Sequence, residues 1–401
     1  MNPREFLNRA KFYEPQMVRF LRDIIAIPSE STQEARVIAR IKKEMQAVRA
    51  FDRVWTDGLG NLFGKLGRGK TVLAIDAHCD TVGTGDRAEW KHDPYQGKVA
   101  GGRVWGRGAG DQKGAIPAMV YAARIIRDLK LPLDEFTLIL VFTVMEEDCD
   151  GLCWQYIVKE GGLRPDVVVV TDSTNCRILR GQRGRMEIGV TATGRSCHGS
   201  MPHLGDNAVY KIAKVVREIE ELNERLAEDP FLGQGTITVS YIDCQTPSLC
   251  AVPDRAYIHL DRRLTQGETK AQALRQVRDA VRRAGVTAKV EVPKYERRSY
   301  TGLVYPTEKY YPTWSVEEDS PPVAAAVQAY RALFRRRPEV SRWTFSTNGV
   351  AINGMFGIPC VGFGPAEESV AHTVNDSVPI KHLVDAAAFY AMFPQAYGNS
   401  L

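Results

Sequence analysis

Three stretches of this chain stay apolar for longer than one water-facing strand allows: "TVLAIDAH" (Thr71–His78), "FTLILVFTV" (Phe136–Val144) and "PDVVVVTD" (Pro165–Asp172). A half-exposed strand alternates apolar and polar residues. Unbroken runs of this kind belong to strands covered on both faces, as in parallel sheets flanked by helices. Between the first two runs, "GAIPAMVYAARIIRDL" (Gly114–Leu129) predicts a helix behind a glycine-rich loop, with Pro117 tolerable only in its first turn. Upstream, Phe6, Ala10, Tyr13, Met17, Phe20, Leu21 and Ile24 recur at helical spacing, and a further amphipathic helix is expected from about Thr32 to Ala47.

The pattern changes near Gly184. "RMEIGVTATG" alternates like a half-exposed strand. A helix from about Asn207 to Leu226 follows, then the strands "GTITVSYIDC" and "AYIHLDRRLT", a helix from about Lys270 to Ala284, and "TAKVEVP". This β-α-β-β-α-β order is a split βαβ, or ferredoxin-like, unit. From about Val323 the first pattern resumes with a helix, the loop "STNG", the strand "IPCVGFG" and a last helix. The expected fold is α/β: a mostly parallel-stranded domain with helices on both faces from residues 1–183 and 300–401, and a βαββαβ domain at 184–299 inserted into it. The stretch "RRSYTGLVYPTEKYYPTWSVEED" has little regular pattern and is expected to be a long loop near the site.

With 401 residues there is room for two domains, and a net charge of +5 leaves no electrostatic footprint for nucleic acid. No run approaches ~20 uninterrupted apolar residues, so no membrane span is expected. The start is charged and lacks an apolar signal core, and the eight cysteines show no C-x-x-C pattern. A soluble, cytoplasmic protein with reduced thiols is expected.

The chemistry-bearing residues cluster where the strands end. His78 and Asp80 close the first run, Asp111 lies in "GRGAGDQKG", Glu146 and Glu147 follow the second run, Asp172 ends the third, and His372 lies in "ESVAHTVND". In an open α/β sheet, ligands bind beyond the carboxyl ends of the strands. Each residue alone reads as a surface, cap or turn residue. Together they supply enough nitrogen and oxygen ligands for two divalent ions sharing a bridging carboxylate.

The motifs "HCDTV", "GRGAGDQKG", the paired glutamates and the "GIPCVGFGP…AH" ending resemble the co-catalytic zinc hydrolases that include acetylornithine deacetylase, succinyl-diaminopimelate desuccinylase, carboxypeptidase G and bacterial di- and tripeptidases. "EEDCDGLCWQYI", "RGQRGRMEI", "CHGS", "DRRLT", "GLVYPTE" and "WTFSTNGV" look most like the selenium-metabolism-linked branch. The resemblance implies two Zn²⁺ per subunit, with Mn²⁺ or Co²⁺ as substitutes. His78 and Asp172 would hold one ion, Glu147 and His372 the other, and Asp111 would bridge them. Glu146 would be the general base, and Asp80 would hydrogen-bond the second nitrogen of His78 from the same strand face. Adjacent residues in extended backbone point opposite ways, so one glutamate can ligate while its neighbour faces the water.

The same resemblance implies that His198, in "GRSCHGSMPH", reaches a partner subunit's site to stabilise the oxyanion. It gives Arg263 to a substrate carboxylate, with Arg262 turned to the opposite face, and Asn348 and Gly349 to substrate contact. The inserted domain would act as a lid and pair in a homodimer, hinged near Gly184 and Val304. Asp172, Ala366 and "AHTVND" depart from the family's usual Glu, Gly and A-H-x-P-N-E. Cys149 and Cys153 are expected to be packed thiols, and Cys79 to point into the core. The expected activity is cleavage of an amide bond in a small substrate with a free carboxylate, such as a dipeptide or an N-acyl or N-carbamoyl amino acid. The alternative is a metal-binding or scaffold protein with the chemistry lost.

Overall fold

The computed structural model describes residues 2–400. The strands Phe136–Thr143, Thr71–His78, Val167–Val170 and Cys360–Gly362 lie side by side in parallel, in that order. Every residue of Phe136–Thr143 and Val167–Val170 is buried, so both faces of this central region are covered. Antiparallel strands extend it on each side: Leu62–Gly67 and Arg53–Thr56 on one, Ile178–Gln182 and Trp314–Ser315 on the other. Val340–Trp343 runs parallel to Ile178–Gln182 and completes a nine-stranded sheet. The helix Ala115–Asp128 packs on the last helix, Ile380–Gly398, and Pro117 falls in its first turn as expected.

The inserted region forms a second sheet, Thr236–Gln245, Arg255–Leu264, Gly184–Thr193 and Ala288–Glu291, all antiparallel. Its helices Ala208–Asn223 and Lys270–Arg283 share a separate core with it, including Ile188, Val190, Ile258, Ile212 and Val277. The mixed α/β architecture and the βαββαβ order are those the alternation predicts.

One stretch differs. The segment expected to be a long loop pairs with both sheets: Tyr310–Tyr311 joins Gly184–Thr193, and Trp314–Ser315 joins Ile178–Gln182. The inserted sheet therefore draws a strand from beyond residue 299. The chain first returns to the parallel-stranded domain around Tyr300–Tyr305, where Tyr300 Oη donates to the Gly60 carbonyl at 2.8 Å and Leu303 and Tyr305 pack on its core, and it leaves the inserted sheet for good at Pro312–Thr313, beside the outgoing crossing at Arg183. The segment is rich in strand-forming Tyr, Thr and Trp, but Pro306 and Pro312 cut it into two-residue pieces too short to show a period. At the crossing the Gly184 N–H donates to Thr313 Oγ1 at 3.0 Å, and a Cβ on Gly184 would come within 2.5 Å of the Thr313 nitrogen. No helix among the described residues is long and apolar enough to cross a membrane.

Candidate metal centre

The carboxyl ends of the parallel strands meet at one cavity of about 310 Å³. His78 is the last residue of its strand and is buried; Glu146 and Glu147 follow the neighbouring strand, and Asp172 the next. Asp111 comes from the glycine-rich loop before its helix, and His372 from the loop after Cys360–Gly362. Asp111 sits between the two histidines: Oδ1 lies 3.1 Å from His78 Nε2 and Oδ2 3.2 Å from His372 Nε2. Asp172 Oδ1 lies 3.6 Å and Glu146 Oε2 3.9 Å from His78 Nε2, while Glu147 Oε2 lies 2.9 Å from His372 Nε2. Ligand atoms of His78, Asp111 and Glu147 lie within 4.8 Å of one another, one from each end of the cluster plus the residue between.

The charges are uncompensated. At the cavity and just behind it, five buried carboxylate oxygens have no hydrogen-bond partner: Asp80 Oδ1, Glu146 Oε1, Glu147 Oε1, Asp150 Oδ2 and Asp172 Oδ2. Burial, against the opposing pull of His78, pushes Glu146 well above the carboxylate range; burial and the Asp111 charge bring Glu147 to about 7. Burial opposes ionisation of Asp111, yet hydrogen bonds from His372 and His78 hold it below its ordinary value. Bonds to Asp111 and Glu147 raise His372 to about 10. A buried cluster with more carboxylate than cationic groups, and with orphaned oxygens, is a donor set suited to divalent cations.

Two supporting residues, Asp376 and Asp76, were given no role from the sequence. Asp376 accepts the N–H groups of Gly108 and Gly110, both at 2.6 Å, and Arg107 Nη1 at 3.2 Å, which shapes the loop that carries Asp111. Asp76, two residues before His78, is buried and receives Trp154 Nε1 and Asn348 Nδ2, each at 2.9 Å. An aspartate inside an apolar strand was the available clue to it. Ala366 has φ 66°, the left-handed region that glycine occupies without strain, which accounts for glycine being common there in the family. Met145, also left-handed at φ 62°, reverses the chain just before the glutamates, a conformation costing about 1–2 kcal/mol for a residue with a side chain.

Of the next three residues, Asp150 also lines the cavity, beside Arg185. Asp148 Oδ2 accepts from Tyr295 Oη and Arg297 Nη1, Cys149 Sγ from Tyr311 Oη at 3.2 Å, and Asp150 Oδ1 from Arg185 Nη1 at 2.9 Å. Arg185 belongs to the inserted sheet, while Tyr295 and Tyr311 are buried in the core of the parallel-stranded domain. Burial raises the Cys149 thiol to about 12 and the Cys153 thiol well above its ordinary value, as expected of packed thiols. Cys79 is buried.

Arg263 reaches the cavity from the inserted sheet, accompanied by Arg185, and Asp261 accepts two of its N–H groups at 2.6 and 3.0 Å. Arg262 points to the other face, buried and paired with Glu268. Asp80 departs from expectation in detail: the strand ends at His78, and His78 Nδ1 meets the Asp80 backbone carbonyl at 3.0 Å, with carboxylate Oδ1 farther off at 3.6 Å. The expected substrate contact of Asn348 and Gly349 is corrected. Asn348 is buried and spends its amide on Asp76, Thr143, Gly151 N–H and Cys153, while Gly349 packs under Trp314. From the same loop, Phe345 and Ser346 line the cavity instead. His198 is exposed on the inserted region, bonded to Ser200, and does not line this cavity.

The model of Peptidase family M20/M25/M40 matches residues 74–396. The chain belongs to that family. It is thus a hydrolase of amide or peptide bonds, from a family of metal-dependent enzymes. It is 52% identical to the uncharacterized protein YgeY of Escherichia coli K12, over 98% of this chain and 96% of that one. It is 26% identical to a succinyl-diaminopimelate desuccinylase of Rhodospirillum centenum, over 94% and 96% of the two chains. The solved structure of the M20 family metallo-carboxypeptidase Sso-CP2 from Sulfolobus solfataricus has the same fold, with TM-score 0.75 and 17% identity over 96% of this chain and 99% of that one.

Proposed function

We propose that this chain is a dinuclear metallohydrolase that cleaves an amide bond beside a free carboxylate in a small substrate. The observation that carries the reading is Asp111, whose two oxygens each face a different histidine at 3.1 and 3.2 Å. In this reading His78 and Asp172 hold one ion, Glu147 and His372 the other, and Asp111 both. Zn²⁺ suits the His and carboxylate set, with Mn²⁺ or Co²⁺ as substitutes. When bound, such a pair lowers the pKa of a water toward ~7 and draws charge from the scissile carbonyl.

Glu146 does the proton work. It lies beside His78 and its Oε1 has no partner, so that oxygen is free to take a proton and give it back. It removes a proton from the attacking water and passes it to the departing nitrogen as the C–N bond breaks, leaving a carboxylate and an amine. Asp80 holds the turn by accepting the Glu147 N–H at 3.0 Å. Arg263 binds the substrate carboxylate. His198, exposed on the inserted region, serves the site of a partner subunit in a homodimer, and residues 184–299 with Tyr310–Tyr311 form the lid and dimerisation domain.

The test is a turnover screen of metal-reconstituted protein against dipeptides, N-acyl and N-carbamoyl amino acids, with and without chelator. Turnover should require metal and a free substrate carboxylate. Activity that survives complete chelation overturns the reading.

A further inference from the structure

After Thr143 leaves the sheet, three N–H groups of the glutamate turn are received by side chains distant in sequence. Val144 donates to Asn61 Oδ1 at 3.2 Å, Met145 to Glu34 Oε1 at 3.0 Å and Glu147 to Asp80 Oδ2 at 3.0 Å. Glu34 stands apart from the other two. It is wholly buried, and its Oε1 also accepts the Thr32 N–H at 3.0 Å, while Oε2 has no partner. Both donors are strained: Thr32 has φ 77° and Met145 φ 62°. One carboxylate oxygen thus pins two left-handed residues 113 positions apart (145 − 32), one in the amino-terminal segment and one immediately before Glu146 and Glu147.

The amino-terminal segment is itself anchored to the site. Ser31 Oγ donates to Asp80 Oδ2 at 2.6 Å, Ser29 Oγ to the Cys79 carbonyl at 2.9 Å, and the buried Lys113 Nζ to the carbonyls of Ile24 and Ile27 at 3.0 and 2.9 Å. Glu34 therefore sits on a fixed platform, and Met145 is held against that platform.

We propose that Glu34 is a positioning residue for the glutamate turn: by holding Met145 left-handed, its Oε1 aims Glu147 at its ion and Glu146 at the water. The inference rests on the dinuclear reading above. What the geometry requires of Glu34 is an acceptor oxygen at the right reach, because both donors share Oε1. An amide oxygen meets that requirement, and a carboxylate one methylene shorter does not.

The probe is Co²⁺, titrated into metal-free protein and followed by bound stoichiometry and visible absorption. Glu34→Gln should bind both ions as the wild type does. Glu34→Ala should weaken one of the two ions by about 10–100-fold and change its absorption band, the size of effect seen when the support of a metal ligand is removed. Should Glu34→Ala fail to fold, Glu34→Asp is expected to give the same loss. A purely structural role would lower the unfolding temperature and leave the Co²⁺ spectrum unmoved. Wild-type affinity and spectrum in folded Glu34→Ala or in Glu34→Asp overturn the proposal, as does Glu34→Gln impaired as much as Glu34→Ala. A wild type that takes up fewer than two Co²⁺ overturns the dinuclear reading itself, whereas two ions bound by Glu34→Ala with wild-type affinity and spectrum overturn only the role of Glu34.

Discussion

The two ends of the metal centre are built differently. At one end, His78 terminates a strand whose last six residues are buried, and its ring is fixed by the Asp80 carbonyl and Asp111. At the other end, His372 lies in a loop, with φ 59° and a side chain 55% exposed, and its Nε2 faces Asp111 and Glu147. The first end is set by the sheet before any ion arrives. The second depends on its ligand contacts for its shape.

The largest effect should come at the sheet end. Glu146→Gln should cut turnover by about 10²–10⁴-fold, the usual share of a general base, with metal content unchanged by elemental analysis. Full activity at full metal content would remove the base from the mechanism. Next, the two histidines should separate. His78→Ala strips the buried Asp111 and Asp172 of their cationic neighbour and should cost about 3–5 kcal/mol in denaturant unfolding of the metal-free protein. His372→Ala, at an exposed position, should cost less than about 1 kcal/mol while losing one ion. Equal costs would erase the contrast between the two ends.

Chelation gives a smaller, graded effect. An ion held at about 100 times its Kd adds about 2.7 kcal/mol of stability, so metal removal should lower the unfolding temperature. The ion at the His372 end should leave first, in a two-step titration, and one concerted step would contradict the asymmetry. The smallest effect belongs to the wall contributed by the inserted region. Arg263→Lys should raise KM about tenfold, near 1.4 kcal/mol, with kcat little changed, because the bidentate fork is lost and the charge is kept. A fall in kcat alone would move Arg263 out of substrate binding.

Much of this architecture was legible because burial leaves a record in sequence. Strands covered on both faces read as unbroken apolar runs, and the half-exposed strand Arg255–Leu264 carries Arg262 on the face opposite Arg263, as expected. His78, Asp111, Glu146, Glu147, Asp172 and His372 stood out because strand ends and glycine loops mark where such sheets open. The supports beneath them did not. Asn348 bonds to Asp76 across 272 residues and Glu34 to Met145 across 111, and a single long-range hydrogen bond leaves no period to read. Asn348 was placed at the substrate by the resemblance of its loop, which carries no record of the bonds to Asp76, Thr143, Gly151 and Cys153 that occupy its amide.

The residues after the glutamate pair have a mechanical consequence. Asp150 is held by the inserted sheet through Arg185, whereas Asp148 and Cys149 bond to Tyr295 and Tyr311, which are buried in the core of the parallel-stranded domain. The glutamate turn is thus clamped within its own domain and tied to its neighbour by one ion pair, so a displacement of the inserted sheet reaches the turn through a single link.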